Sequence, residues 1–193
     1  MTKALKHNEI IENLELLADW LRVKYPGQKF EMILAGGAAM ALMGFKGQTI
    51  DIDLFDPLIL PDPILQGIRY VAKVKKLGPE WLNNQLAIML KKSTGLKEMP
   101  EYFKEIADTI EIGGNLKVSL IGRQALLSLK MYAATPSLRK HTEDIKALQP
   151  KKREIMESIR FVMSIDASEP RIDDLRIVLT DLRFDLDQIL NSI

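Results

Sequence analysis

Asp51 and Asp53 are the residues of this 193-residue chain whose type and spacing most clearly favour chemistry. They alternate with apolar residues in the run TIDIDLFD, and residues two apart on a strand leave from the same face. Two carboxylates on one face can bind Mg²⁺, which usually keeps part of its ligand shell for water and substrate phosphate. We therefore expect Asp51 and Asp53 to be catalytic residues that bind Mg²⁺ or Mn²⁺ beside a phosphate-bearing substrate.

The glycine pair Gly36-Gly37 precedes the aspartates and follows a short apolar run. Glycine lets phosphate oxygens approach the backbone, and a helix start offers unpaired N–H groups. We therefore expect Gly36 and Gly37 to bind phosphate through their backbone N–H groups. The simpler interpretation is that the pair forms only a tight turn and that the aspartates form a solvated strand face.

The elements around these residues must hold the glycines and the aspartates together. Apolar periodicity predicts a strand ending at the glycines, a short helix behind them, a turn, and an aspartate strand whose Ile50, Ile52 and Leu54 face a core. The expected bounds are 29–34 for the first strand, 38–43 for the helix, 44–49 for the turn and 50–55 for the aspartate strand.

The rest of the chain is mostly helical by pattern, apart from a β-rich stretch around Gly113-Gly114 that predicts a hairpin within 108–120. The Pro-rich segment after Asp56 predicts a loop. The basic cluster Lys73, Lys75 and Lys76 is either a solvated helix end or a contact to phosphate or RNA. Trp81 is expected to lie in the core and not to serve as a base-stacking platform. Helices are expected over 8–24, 64–76, 79–93, from Gly122, and over most of 151–193.

This succession of elements favours an α+β (α/β) fold with a small sheet flanked by helices and with additional C-terminal helices. The length of the chain suits one domain over 1–193. Its core is expected at about 29–147, with an N-terminal helix and a C-terminal helical annex. The formal charge of +1 gives no overall basic field for nucleic acid, and the lack of Cys excludes thiolate chemistry. We see no signal peptide and no membrane-spanning run, so we expect a cytoplasmic protein with no membrane partner.

The Gly-Gly pair followed by Thr-x-Asp-x-Asp on a strand resembles the signature of the nucleotidyltransferase-fold superfamily. It is most similar to the minimal members grouped with AbiEii-type toxins. The resemblance covers roughly 32–147 and is strong only in the unit from Gly36 to Asp53. It implies a nucleotidyltransferase-like small mixed sheet flanked by helices. It also implies transfer of a nucleotide from an NTP to an acceptor such as tRNA, and for a toxin it implies an antitoxin protein as partner.

The same resemblance extends to Lys130 and Asp144. In AbiEii-like families a Lys follows Leu-Leu-x-Leu, and a later helix begins with an Asp; here LLSLK and SLRKHTEDIKAL match. The resemblance implies that Lys130 is a catalytic and nucleotide-binding residue that faces the aspartates, and that Asp144 orients Lys130 or activates the acceptor hydroxyl. The simpler readings are a snorkelling lysine at a helix edge and an acidic helix start.

The sequence departs from the family pattern at one position. Many nucleotidyltransferases place a third metal-binding carboxylate on the second hairpin strand, where this chain offers Lys117 and Ser119. Two functions therefore stay open: a metal-dependent nucleotidyltransferase, and a catalytically degenerate relative that binds a nucleotide or a protein partner.

Overall fold

A computed structural model of the chain describes residues 4–94 and 99–192. The chain forms two compact units. The first consists of Met1–Lys97 and Ile106–Ile121, and the second of Glu98–Glu105 and Gly122–Ile193. The mixed sheet with flanking helices confirms the expected α+β class.

The first unit contains a five-stranded sheet in the order β5-β4-β2-β7-β6. Central β2 runs parallel to β7 and antiparallel to β4, so the sheet is mixed. The antiparallel β6–β7 hairpin confirms the hairpin predicted around the two glycines. A second, two-stranded sheet pairs β1 with β3. The strands are β1 Leu5–Lys6, β2 Phe30–Ala35, β3 Gln48–Thr49, β4 Ile52–Asp56, β5 Leu82–Asn83, β6 Ile106–Ile112 and β7 Leu116–Ile121.

The two faces of the five-stranded sheet differ in polarity. Register places Leu34 beside Leu54 and Met32 beside Val118, and all four side chains are buried. Alternation puts the neighbouring residues on the opposite face, which is polar at several positions. That polar face carries Glu31, Asp53, Asn83, Thr109, Lys117 and Ser119.

Four α-helices of the first unit surround this sheet. Helix α1 buries Ile10, Leu14, Leu17 and Leu21 at the spacing of an amphipathic helix, and it packs against α3. Trp81 is 2% exposed and donates its indole N–H to the Ile68 carbonyl at 3.0 Å, which confirms its predicted place in the core. The helices are α1 His7–Lys24, α2 Gly36–Leu42, α3 Asp62–Lys75 and α4 Gln85–Thr94.

The second unit is helical and includes a short 3-10 helix, Glu101–Lys104. Phe103 from that turn is 4% exposed and lies 4.9 Å from the ring of Phe161, so this segment contributes to the helical core. The α-helices are α5 Arg123–Ala133, α6 Arg139–Leu148, α7 Lys152–Ile165, α8 Glu169–Asp181 and α9 Leu186–Leu190.

Three predicted elements differ from the structure. The helix expected over 79–93 begins only at Gln85, because Leu82 and Asn83 pair with β4 as a strand. The turn expected over 44–49 contains β3, which pairs with the N-terminal Leu5–Lys6. In the C-terminal region, Arg183 with φ +63° separates α8 from α9, where one helix was expected.

Among the helices in the described part of the chain, none combines the length and apolar character needed to cross a bilayer.

Candidate functional site

Asp53 lies against Gly36 in the candidate site. Asp53 lies in β4 opposite Ala35, the last residue of β2, and Gly36 then begins α2. A Cβ atom at Gly36 would overlap Asp53 Oδ2 and would come within 3.0 Å of its Cβ and Cγ atoms. The structure therefore brings one predicted aspartate against the predicted glycine pair.

Gly37 has a different neighbour. A Cβ atom there would overlap the Thr49 hydroxyl, so the side chain that approaches Gly37 belongs to β3 and not to Asp51. Both glycines are thus required by the side chains beside them, whether or not phosphate binds. The sequence analysis did not predict that Thr49 contacts Gly37. The available signal was the position of Thr49 as the first residue of the Thr-x-Asp-x-Asp pattern.

Asp51 lies in a bend immediately before β4. The strand predicted over 50–55 begins only at Ile52, and Ile50 is 59% exposed instead of facing the core. The reason is that Thr49 belongs to the β1–β3 sheet while Ile52 belongs to the five-stranded sheet, so the chain bends between two sheets at Ile50 and Asp51. Asp51 is half-buried and makes no hydrogen bond or ion pair to another described residue.

Lys117 and Ser119, and not a carboxylate, lie on the strand where a third metal-binding carboxylate was expected. Lys117 and Ser119 lie on the polar face that also carries Asp53, as the sequence predicted. Ser119 is 7% exposed and lies 3.2 Å from the Thr109 hydroxyl, while Lys117 Nζ lies 3.7 Å from a Glu31 carboxylate oxygen. Within residues 4–94 and 99–192, no group of three or more His, Asp or Glu side chains is arranged to hold a metal ion.

Asn83 is a second residue that the sequence reasoning missed. It pairs with Asp53 in the parallel β4–β5 ladder, which places its side chain on the same face as the aspartate. It is 7% exposed, donates to the Glu80 carbonyl at 3.2 Å and accepts from the Gln85 backbone N–H at 3.0 Å. Asn83 is thus the last residue of β5, and its side chain accepts from the first residue of α4. The helix predicted over 79–93 included Asn83, so its place on a strand beside Asp53 was not foreseen.

Lys130 and Asp144 form a buried ion pair in the second unit. Lys130 Nζ donates to Asp144 Oδ2 at 2.7 Å, and the two side chains are only 8% and 7% exposed. Lys130 is therefore not a snorkelling residue at a helix edge. Asp144 does not lie at a helix start either, because α6 begins at Arg139, five positions earlier. Whether Asp144 orients Lys130 for substrate or activates the acceptor hydroxyl stays a prediction.

Two arginines fix the helix that carries Lys130. Arg171 of α8, 8% exposed, donates to the Met131 and Ala134 carbonyls at 2.8 and 2.7 Å and so caps the C-terminal end of α5. Arg123, in the first turn of α5, donates to Glu154 Oε1 and to the Leu148 carbonyl at 2.8 and 2.6 Å. Both ends of α5 are therefore tied to neighbouring helices.

The donor set at Asp51 and Asp53 fits Mg²⁺. Carboxylate oxygens are the ligands this cation prefers, and one or two protein carboxylates commonly suffice when substrate phosphate and water supply the rest. The half-buried Asp51, without a partner among the described residues, is available as such a ligand. Asp51 and Asp53 belong to one compact unit and Lys130 and Asp144 to the other, so a common cleft for all four stays a prediction.

No protein-family model matches the chain, and neither a curated protein nor a solved structure matches it.

Proposed function

We propose that this chain is a metal-dependent nucleotidyltransferase, which transfers a nucleotide from an NTP to an acceptor such as tRNA. The observation that carries the proposal is the Asp53 carboxylate lying against Gly36 where β2 passes into α2. Asp51, two residues before it, has no partner among the described residues. This arrangement unites the two parts of the motif that suggested the chemistry. A toxin role with an antitoxin partner is the further expectation that the sequence resemblance supports.

The proposed reaction needs groups that bind the metal, groups that bind the phosphates and a cation for the leaving group. Bound Mg²⁺ supplies charge neutralisation for the triphosphate and for the pyrophosphate leaving group. Asp51 and Asp53 would hold the metal, and the backbone of Gly36 and Gly37 would approach the phosphates. Lys130 is the proposed fixed cation for the charge that develops on the leaving group, and its bond to Asp144 restricts its rotamers.

A second candidate function is nucleotide binding without transfer. It is favoured by Ser119 and Lys117, which stand where a third carboxylate would complete a two-metal site. A single metal held by Asp51 and Asp53 could still bind an NTP. The two candidates therefore share a binding step and differ in the chemical step.

Thermal melting tests the shared binding step. Wild-type protein should melt at a higher temperature when Mn²⁺ and an NTP are present together, because a ligand at about 100 times its Kd stabilises the folded state by about 2.7 kcal/mol. Asp51→Asn, alone or with Asp53→Asn, should lose this shift. Asp51→Asn without ligand should melt close to wild type, because the carboxylate has no bonding partner among the described residues.

Asp56→Asn is the matched control, because Asp56 is an exposed aspartate at the other end of the same strand. It should keep the wild-type shift. If wild type shows no shift with metal and any NTP, or if Asp56→Asn abolishes the shift equally, the proposed site is wrong. Transfer of label from each radiolabelled NTP to total tRNA then separates the two candidates: labelled tRNA supports the enzyme, and metal-dependent binding without labelling supports the binding protein.

A further inference from the structure

An aromatic and basic surface on α1 and α3 is not used by the proposed chemistry. Its rings are Trp20, Tyr25 and Tyr70: Trp20 stacks on Tyr70 with centroids 6.0 Å apart and an interplanar angle of 28°, and the Trp20–Tyr25 centroid distance is 5.8 Å. Tyr70 is 40% exposed. We call this surface the α1–α3 aromatic face, and it comprises these three rings with Lys24, Arg69 and Lys73.

Helix geometry places the cations next to the rings. Lys24 follows Trp20 by four residues in α1, and Lys73 follows Tyr70 by three and Arg69 by four in α3. Residues three and four apart are neighbours on a helix surface. The exposed Tyr70 and the half-buried Trp20 therefore each have an exposed cation beside them. This arrangement can hold a base on the ring and a phosphate on the cation.

The charges of this face are unbalanced. Lys24, Arg69 and Lys73 are exposed, and none forms an ion pair with a described residue. Two acidic residues of α1 are already neutralised: Asp19 by Arg22 at 2.8 Å, and Glu12 by Lys75 at 3.1 Å. Glu15 of the same helix is exposed and unpaired among the described residues. The excess of positive charge next to the exposed Tyr70 ring favours an anionic partner that also carries aromatic rings.

We infer that the α1–α3 aromatic face binds single-stranded nucleic acid, with bases stacking at Tyr70 and Trp20 and phosphates contacting Lys73, Arg69 and Lys24. Sequence-tolerant binding of single strands combines cations along the backbone with aromatic platforms for the bases. A duplex would not fit this chemistry, because its bases are stacked on one another and not available to the rings. This inference does not depend on the proposed nucleotidyl transfer.

A second copy of the chain is the other occupant that exposed apolar side chains suggest, since Val23 and Val74 are 72% and 49% exposed. In a twofold dimer, however, the same patch meets itself. Such an interface would bring two sets of three unpaired cations together, with only Glu15 of α1 as an unpaired acid on each copy, among the described residues. Like charges in contact oppose association. The charge of this face therefore favours the nucleic acid.

Fluorescence anisotropy with labelled oligo(U), compared with a labelled duplex of equal length, tests the inference. The wild type should bind the single strand more tightly than the duplex. Tyr70→Ala should weaken binding about fivefold to a hundredfold, since it removes one stacking platform, whereas Tyr70→Phe should bind like the wild type because it keeps the ring.

Charge reversal supplies the matched control. Arg69→Glu with Lys73→Glu should weaken binding and lower the slope of log K against log salt by about 1.4, or 0.7 for each lost phosphate contact. Lys91→Glu with Lys92→Glu makes the same net change in the last turn of α4, at two other exposed residues, and should bind nearly as tightly as the wild type. Circular dichroism checks that each variant folds.

Three results would overturn the inference. One is no preference for the single strand over the duplex. Another is equal weakening by the α3 and α4 charge reversals, which would mean that binding follows net charge and not this face. The third is a concentration-dependent dimer that Tyr70→Ala dissociates in a protein that does not bind oligo(U), because the face would then be a protein interface.

Discussion

Gly36 combines a left-handed backbone, φ +60°, with a side-chain space already filled by the Asp53 carboxylate. Most L-residues avoid this backbone region because Cβ approaches the following carbonyl. The two constraints act independently, so no other residue type satisfies both. A side chain at position 36 would therefore require Asp53 to move.

Replacement of Gly36 by alanine should destabilise the first unit strongly. The left-handed conformation costs about 1–2 kcal/mol for an L-residue, and the overlap with Asp53 adds about 1–3 kcal/mol of overpacking. Gly47→Ala is the control, because a Cβ atom there has nothing within 4 Å, and its free energy of unfolding should stay within about 0.5 kcal/mol of wild type. Urea unfolding of both variants measures the difference. Equal stability of the two would show that Asp53 moves away without cost.

For individual residues, the sequence predicted that Asp53 lies near Gly36, but it did not predict that Asp51 lies in a bend outside the strand. The alternation Ile-Asp-Ile-Asp-Leu is continuous in the sequence, and only the pairing of Thr49 with distant Leu5 interrupts the strand before Ile52. Pairing between residues far apart in the chain leaves no local signal. For the same reason Ile50 was assigned to a core that it does not enter.

At the scale of elements, the Lys130–Asp144 bond joins α5 to α6 and alters what mutation of Lys130 should do. A lysine that only contacts substrate could be replaced without loss of stability. Here the pair is buried, and removal of one member of a buried ion pair typically costs about 3–5 kcal/mol. We therefore expect Lys130→Ala to weaken nucleotide binding and to lower the melting temperature as well.

A double-mutant cycle separates these two effects. Lys130→Met, Asp144→Leu and the double variant should show strong coupling in stability, with the double variant more stable than the sum of the single losses predicts. Nucleotide affinity should instead fall whenever Lys130 is absent, including in the double variant. A double variant that recovers both stability and nucleotide affinity would make Lys130 a purely structural residue.

Arg123 and Glu154 connect the starts of α5 and α7 and predict a pH dependence. Burial alone would raise the pKa of Glu154, but hydrogen bonds from Arg123 and from the Lys151 backbone N–H outweigh it and lower the pKa below its ordinary 4.5. A carboxylate with a lowered pKa stabilises the folded state above its unfolded-state pKa, and this contribution disappears as pH falls through the lowered value.

Glu154→Gln should therefore melt earlier than wild type near pH 7, and the difference should shrink as pH falls below 4.5 and through the lowered pKa of Glu154. Melting curves over this range provide the measurement. Glu157→Gln on the same helix is the control: its ion pair with Arg160 is local and more exposed, and surface pairs contribute little. A difference between Glu154→Gln and wild type that persists unchanged at low pH would mean that the charge of Glu154 is not what stabilises the fold.

For the whole molecule, local periodicity predicted the hairpin and the helical character of the remainder, whereas the mixed sheet was implied by the family resemblance. It gave no indication that residues near 101–104 join the C-terminal helices. The boundary after Ile121 lies inside the expected core of 29–147, and there Gly122 donates its N–H to the Glu105 carbonyl at 2.8 Å. Contacts of this kind arise from tertiary packing, which composition and periodicity do not encode.

Because each compact unit has its own core, a truncated core side chain should destabilise mainly the unit that contains it. Phe103→Ala removes a ring that packs on Phe161, and Leu54→Ala removes a fully buried side chain of the sheet. Losses of this size typically cost about 2–5 kcal/mol. In native-state hydrogen exchange, Phe103→Ala should accelerate amides of α7 and leave β2 protected, and Leu54→Ala should do the reverse, because protection follows the cooperative unit in which an amide lies. If each variant accelerates both elements to the same extent, the chain unfolds as one cooperative unit and the two cores are not energetically separate.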